Sequence, residues 1–231
     1  MTAIVSRLQA IRHRVEACAR AAQRRPEELR LVAVSKTFPP DAVRAAHAGG
    51  QSEFAENYLQ EALDKMQALA DLPLAWHFIG PIQSNKTRPI AEHFSWVHSV
   101  DRAKIADRLS EARPAQLAPL QVCIQVNVSG EPSKSGVAPR EAPALARHVH
   151  ALPRLRLRGL MAIPRPTPDV AEQRAQFRVL RELLGELNAA GMELDTLSMG
   201  MSDDLEAAIA EGATLLRVGT AIFGERKRRE A

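Results

Sequence analysis

Lysine is scarce in this chain. Only six occur in 231 residues, along with one tyrosine, Tyr58, so each can be weighed by itself. Lys65 and Lys104 fall within helical patterns, Lys227 in a basic tail, and Lys86 and Lys134 on loops. Lys36 alone closes an apolar run, LRLVAVSK (29–36). That run is short, valine-rich and bounded by charges, as a buried strand is. An amine at such a strand end can form an imine with an aldehyde once desolvation or neighbouring charge strips its proton. The blander reading, and the commoner one for a lone lysine, is a side chain that snorkels from the strand end to water.

Other polar residues close other apolar runs. Ser202 stands at the head of the helical segment SDDLEAAIAEG (202–212). Its hydroxyl and the free amides of a helix start could hold an anion, and a plain N-cap fits equally well. Asp203 and Asp204 would repel a phosphate there unless they point away. Gly219 and Thr220 lie in the run LLRVGTAIFG (215–224), a residue with no side chain and then a hydroxyl. Arg217 is two positions before Gly219 and so shares its face on a strand. It could hydrogen-bond a ring nitrogen and keep it unprotonated, weakening that ring as an electron sink. An ion pair with a strand-end carboxylate such as Glu56 is the equal alternative. His77 is a general base or, more commonly, a hydrogen-bonded core histidine. Asn57 orients a ligand or caps the next helix. Gln83, Asn85 and Lys86 with Lys134 form a basic rim or simply solvated surface.

Composition bounds the rest. Hydrophobic residues make up 45% of the chain, enough for one large core. The net charge is +4, and much of the excess sits in the tail 225–231. A solvated terminus is the favoured reading of that tail over a nucleic-acid or membrane contact. Cys18 and Cys123 show no metal-ligand spacing and read as small core residues or spare thiols, so no metal is expected. Charges interrupt the first 25 residues every few positions, so neither a signal peptide nor a membrane span is expected, and the expected location is the cytoplasm.

The elements that must position these residues alternate. After a helical pattern at 3–22, strand-like runs recur at 29–36, 52–57, 74–80, 95–101, 120–128, 155–163, 195–202 and 215–224, with helical segments between them. Strict alternation implies a parallel sheet with right-handed crossovers, and eight units in this length suit a (β/α)8 TIM barrel with an extra N-terminal helix. An open doubly wound sheet would want a glycine fingerprint after the first strand, and Ser-Lys-Thr-Phe-Pro-Pro is not one. One barrel domain is expected over 1–231, with the N-terminal helix in 1–28 and the basic tail at 225–231. In a barrel the strand C-termini carry the site, and the loops after strands 7 and 8 most often cradle phosphate.

These motifs together resemble a known family. LVAVSK (31–36), AENY (55–58), HFIGPIQSNK (77–86), SVD (99–101), QVNVSGEPSKSG (125–136), GLMAIP (159–164), LSMGMSDDLEAAI (197–209) and LRVGTAIFG (216–224) look like the pyridoxal phosphate homeostasis proteins, single barrels related to the N-terminal domain of alanine racemase. The resemblance implies a fold-type III barrel that binds pyridoxal 5'-phosphate (PLP) as a Schiff base on Lys36. It implies that Ser202, Gly219 and Thr220 lie on the phosphate, that Arg217 faces the pyridine nitrogen, and that Asn57 and His77 lie near the cofactor. Lys134 matches a family lysine thought to make a secondary contact.

What the resemblance implies about function is cofactor buffering and delivery without robust turnover, with PLP and apo forms of PLP enzymes as partners. A monomer is expected, with no nucleic acid or membrane bound. The alternative is a racemase-like enzyme, which would need a second acid–base tyrosine from a C-terminal domain. A third reading, an aldolase-type imine on Lys36, would need a carboxylate network, and the strand ends offer only Glu56 and Asp101.

Overall fold

The structure, a computed structural model, describes residues 2–131 and 134–225. Ser133 and nearly all of the basic tail lie outside the described residues. Eight parallel strands run in sequence order: β1 (Arg30–Val34), β2 (Glu53–Glu56), β3 (Ala75–Phe78), β4 (Trp96–Val100), β5 (Leu120–Gln125), β6 (Leu155–Met161), β7 (Thr196–Ser198) and β8 (Leu215–Val218). β8 closes on β1 with Val32 opposite Arg217. The fold is a (β/α)8 barrel.

The outer ring comprises α2 (Pro40–Ala48), α3 (Leu59–Ala68), α4 (Thr87–His93), α5 (Ala103–Ala112), α6 (Ala142–His150), α7 (Val170–Ala189), α8 (Leu205–Ala210) and α9 (Thr220–Phe223). The last has only four residues and cannot cover β8 and β1. An N-terminal helix, α1 (Ala3–Ala21), fills that place, packed against α2, α8 and α9. It buries Leu8, Ile11, Val15 and Ala19, the stripe its sequence spacing dictates. Arg14 and Arg24 tie this region to α8, pairing with Glu206 and donating to the Ile209 and Ala213 carbonyls.

Alternation along the strands sorts the side chains into two environments. Outward residues such as Ala33, Phe54, Phe78, Val97, Ile124 and Leu216 join the helices in the principal core. Inward residues form two small apolar clusters, Val32, Val34, Ala55, Ile79 and Leu215 on one side and Trp96, Cys123 and Met161 on the other. Between these clusters the interior is polar, with His77, His98, Ser198 and Arg217 all buried. Burial pushes the Cys123 thiol up to about 12, so it is an inert core residue.

All eight strands stop short of the apolar runs that predict them, and two stop four or more residues short. The run 195–202 keeps only Thr196–Ser198 as strand, because Gly200 takes φ +93° and the Asp204 carboxylate accepts the Met201 N–H at 2.6 Å. The run 215–224 breaks at Gly219 and continues as α9 rather than as strand. Among the described residues no helix is long and apolar enough to cross a membrane.

Candidate functional site

Lys36 lies two residues beyond β1, half-buried, in a turn that the Phe38 N–H closes on the Ser35 carbonyl. The end of β8 lies beside the end of β1 at Val34. A Cβ placed on Gly219 would sit 3.1 Å from the Val34 carbonyl oxygen, so a side chain there would push the ends of β1 and β8 apart. Thr220 follows, exposed, at the first position of α9. The Ile222 and Phe223 amides donate to the Gly219 carbonyl, whereas those of Thr220 and Ala221 have no intrahelical acceptor.

Ser202 sits in the turn before α8, half-buried. It is not the helix cap, because α8 starts at Leu205 and Asp204 holds the N-cap position. The Ser202 carbonyl accepts a hydrogen bond from Arg14 at 2.9 Å, while its hydroxyl bonds no protein group among the described residues. Asp203 is exposed, and Asp204 turns back onto Met201 N–H, so the second carboxylate is engaged within its own turn. Burial raises the Asp204 pKa above the ordinary carboxylate value, and the Met201 N–H opposes that rise.

Arg217 is buried in the barrel interior. Its terminal nitrogens donate to Ser198 Oγ at 2.6 Å and to the Ala162 carbonyl at 2.9 Å. No carboxylate forms an ion pair with it among the described residues. Glu56 does not, because it faces outward and pairs with Lys65 at 2.7 Å. Burial lowers the Arg217 pKa to about 10, which leaves a full cation near neutrality. A guanidinium has five N–H donors, and two are spent in these bonds, so the group retains capacity for an uncharged acceptor.

His77 reaches this end of the barrel only through other residues. It is sealed inside, stacked on Trp96 at 5.6 Å, with its Nδ1 3.0 Å from His98 Nε2. His98 Nδ1 lies 2.7 Å from Ser198 Oγ, the hydroxyl that Arg217 also contacts. On its other side His77 Nε2 faces Glu53 Oε2 at 3.9 Å, and Arg30 pairs with Glu53 Oε1 at 2.6 Å. Burial lowers His77 to about 3 and His98 well below its ordinary value.

Asn57 follows β2 in a bend, and Tyr58 rather than Asn57 holds the N-cap position of α3. The Asn57 backbone packs so closely on Gly80 that a Cβ there would lie 2.1 Å from its carbonyl oxygen. The Asn57 side chain bonds no protein group among the described residues. Lys86 is exposed in a short 3-10 turn, Ser84–Lys86. Lys134 lies in the loop after β5, which Asn127 folds back through its side-chain bonds to the Glu131 and Lys134 carbonyls.

Three residues of this region escape the sequence reading. His98 and Ser198 carried a usable signal, each two positions after a buried residue of its own strand (Trp96 and Thr196). Lys65 carried none, because a helical lysine is ordinarily on the surface, and here it is only 3% exposed.

Comparison with known proteins agrees with this fold. The family model described as alanine racemase, N-terminal domain, matches residues 6–227. A pyridoxal phosphate homeostasis protein of Pseudomonas aeruginosa is 66% identical over 226 residues, covering 98% of this chain and 97% of that protein. The Escherichia coli K12 protein of the same name is 50% identical and covers 98% of each. Among solved structures, PipY of Synechococcus elongatus PCC7942 with PLP bound is 40% identical, with a TM-score of 0.83 over 96% of this chain and all of that one. Alanine racemase of Corynebacterium glutamicum shares the fold at 18% identity, with a TM-score of 0.69, and this chain spans 63% of it. The chain therefore belongs to the pyridoxal phosphate homeostasis family, built on the alanine racemase N-terminal barrel.

Proposed function

We propose that this chain holds PLP on Lys36 and buffers or hands on that cofactor rather than turning over a substrate. One observation carries the reading. The amine-bearing end of β1 and the Gly219–Thr220 end of β8 adjoin at Val34, with the buried Arg217 cation two residues inside. The names of the relatives and the PLP-bound neighbour support it.

When bound, PLP supplies an aldehyde that bonds reversibly to an amine, a dianionic phosphate, and a pyridine nitrogen. The residues present suit all three. Lys36 brings the amine. The Ser202 and Thr220 hydroxyls, together with the first amides of α9, offer donors to an anion, and Gly219 leaves room for it. Arg217 offers N–H to the nitrogen and, with a pKa near 10, surrenders no proton at neutral pH. A nitrogen faced by such a donor stays unprotonated, which disfavours carbanion chemistry. Tyr58, the only tyrosine, is 53% exposed at the start of α3. This reading assigns no residue of the described site as a second base for two-sided proton transfer. Asn57 completes the set at the rim of β2, and His77 acts on Arg217 through His98 and Ser198.

We take the whole chain as one binding unit, a cytoplasmic monomer whose recipients are apo forms of PLP enzymes. Borohydride reduction of the PLP-loaded protein and peptide mapping test the central claim. The pyridoxyl label is expected on Lys36, and a label mainly on Lys134 or Lys86 overturns the assignment. Turnover of alanine or serine enantiomers at ordinary enzyme rates, about 1–10³ s⁻¹, would refute the non-catalytic reading.

A further inference from the structure

Behind the β1 end, on the outer side of the barrel wall, lies a buried charged cluster. Lys65 on α3 donates to three oxygens, the Ser35 carbonyl, Glu56 Oε1 and Glu61 Oε1, each at 2.7 Å. These use all three N–H donors of an ammonium group. Ser35 Oγ donates to Glu56 Oε1 at 2.6 Å, and the Thr37 amide donates to Glu61 Oε1 at 2.5 Å. Glu56 and Ser35 have no solvent exposure.

The residues so tied are the immediate neighbours of Lys36. The Ser35 carbonyl belongs to the peptide before the Lys36 Cα, and the Thr37 N–H belongs to the peptide after it. Both flanking peptide groups are therefore anchored to one ammonium–carboxylate cluster. Thr37 has φ +70°, a conformation that strongly disfavours a β-branched residue. Such strain persists only where the surroundings over-determine it, and it concentrates at functional sites. An ion pair serving α3 alone would have no need of two main-chain groups on β1 or of a strained turn at Thr37.

We infer that Lys65, Glu56 and Glu61 are positioning residues for Lys36, a clamp that fixes both peptide planes around its Cα and so aims its amine into the barrel mouth. This rests on the reading of Lys36 as the PLP-bearing residue. The clamp makes Lys65 a structural cation, with every donor engaged.

The test uses the full chain with Lys65→Met. Loss of Lys65 leaves Glu56 buried beside Glu61, so Glu61→Ala, at a half-buried surface position, provides a variant that should fold in any case. Leu180→Ala, a core change in α7, controls for general destabilisation. Amide hydrogen exchange of the unloaded protein reads the clamp directly. Exchange at Thr37 should accelerate about tenfold or more in both clamp variants and not in Leu180→Ala at matched stability. In the PLP-loaded protein, the pH midpoint of the visible band and the rate of release to an external amine should shift in the clamp variants only. Unchanged Thr37 exchange together with an unchanged pH midpoint in Glu61→Ala overturns the inference. If the parent takes up no PLP at all, the functional reading fails by itself, and Thr37 exchange still decides whether the clamp exists.

Discussion

His77 Nδ1 and His98 Nε2 lie 3.0 Å apart in the barrel interior, on neighbouring strands, and both rings are fully buried. Burial keeps both neutral, so one proton lies between these two nitrogens. If His98 donates it, His98 Nδ1 can accept from the Ser198 hydroxyl, and that oxygen is free to accept from Arg217. His77 then carries its proton on Nε2, facing the Glu53 carboxylate. Every donor points the same way, from the Arg217 cation to the Glu53 anion. The opposite tautomers would set the lone pair of His77 against that carboxylate and give Ser198 Oγ two incoming donors.

Nitrogen-15 NMR of the imidazole groups should therefore show His77 and His98 as neutral Nε2–H tautomers. Neither should titrate between about pH 5 and pH 8, where an exposed histidine changes charge. A midpoint near the ordinary value of about 6.5 for either ring would break the ordered chain.

The same two residues make stability depend on pH. Their folded pKa values lie below the ordinary value, His77 at about 3. Between about pH 3 and pH 6.5 the unfolded chain binds protons that the folded chain refuses. Stability should therefore rise with pH across that window, be complete above it, and fall away as acid is added. Each histidine contributes a slope of up to about 1.4 kcal/mol per pH unit. Glu56 acts in the opposite sense, since burial holds its carboxyl above the ordinary range and ionising it costs stability as pH rises. Urea unfolding midpoints measured from about pH 4 to pH 7 should climb for the parent and flatten for His77→Gln. Parallel curves would show that His77 titrates equally in both states.

Arg217→Gln tests the ring-nitrogen contact. It removes the cation while keeping a donor near Ser198, so Ala162 loses one hydrogen bond, a cost of about 1–3 kcal/mol for a buried group. The visible spectrum of the PLP-loaded variant should shift toward the protonated pyridine form. An unchanged spectrum in a folded variant would restrict Arg217 to holding β7 and β8 together.

The covalent link and the phosphate cradle should be separable. Charge-assisted hydrogen bonds to a phosphate contribute about 1.5–3 kcal/mol each. Lys36→Ala should lose the yellow colour yet keep non-covalent PLP binding. Ser202→Ala with Thr220→Ala should keep Lys36 but bind PLP far more weakly and discriminate less against unphosphorylated pyridoxal. Equilibrium dialysis with both ligands decides this. Parent-like PLP binding by the double variant would move the phosphate site away from the ends of β7 and β8.

Gly200 ought to be intolerant of any side chain. It takes φ +93°, and a Cβ would lie 2.7 Å from that of Ala208. Gly200→Ala should cost roughly 1–3 kcal/mol through backbone strain and overpacking. A thermal midpoint equal to the parent's would show that the turn between β7 and α8 relaxes freely.

Strand–helix alternation, the eightfold count and Lys36 at the end of β1 are all legible in the sequence, because they depend on local periodicity and on which residues punctuate it. The period-two pattern also places Arg217 and Gly219 on one face. What closes β8 onto β1 is not local. Only the closed barrel brings Gly219 against Val34, and only its interior joins His77, His98, Ser198 and Arg217, drawn from four strands, into one chain of hydrogen bonds. Lys65 shows the same division most clearly. Its helical spacing is plain in the sequence, but burial is decided by what packs on the helix, and here that is the outer face of β1 and β2, where Glu56 and the Ser35 carbonyl await a cation. Periodicity assigns elements one at a time, whereas the partners of a buried charge are set by how distant elements meet.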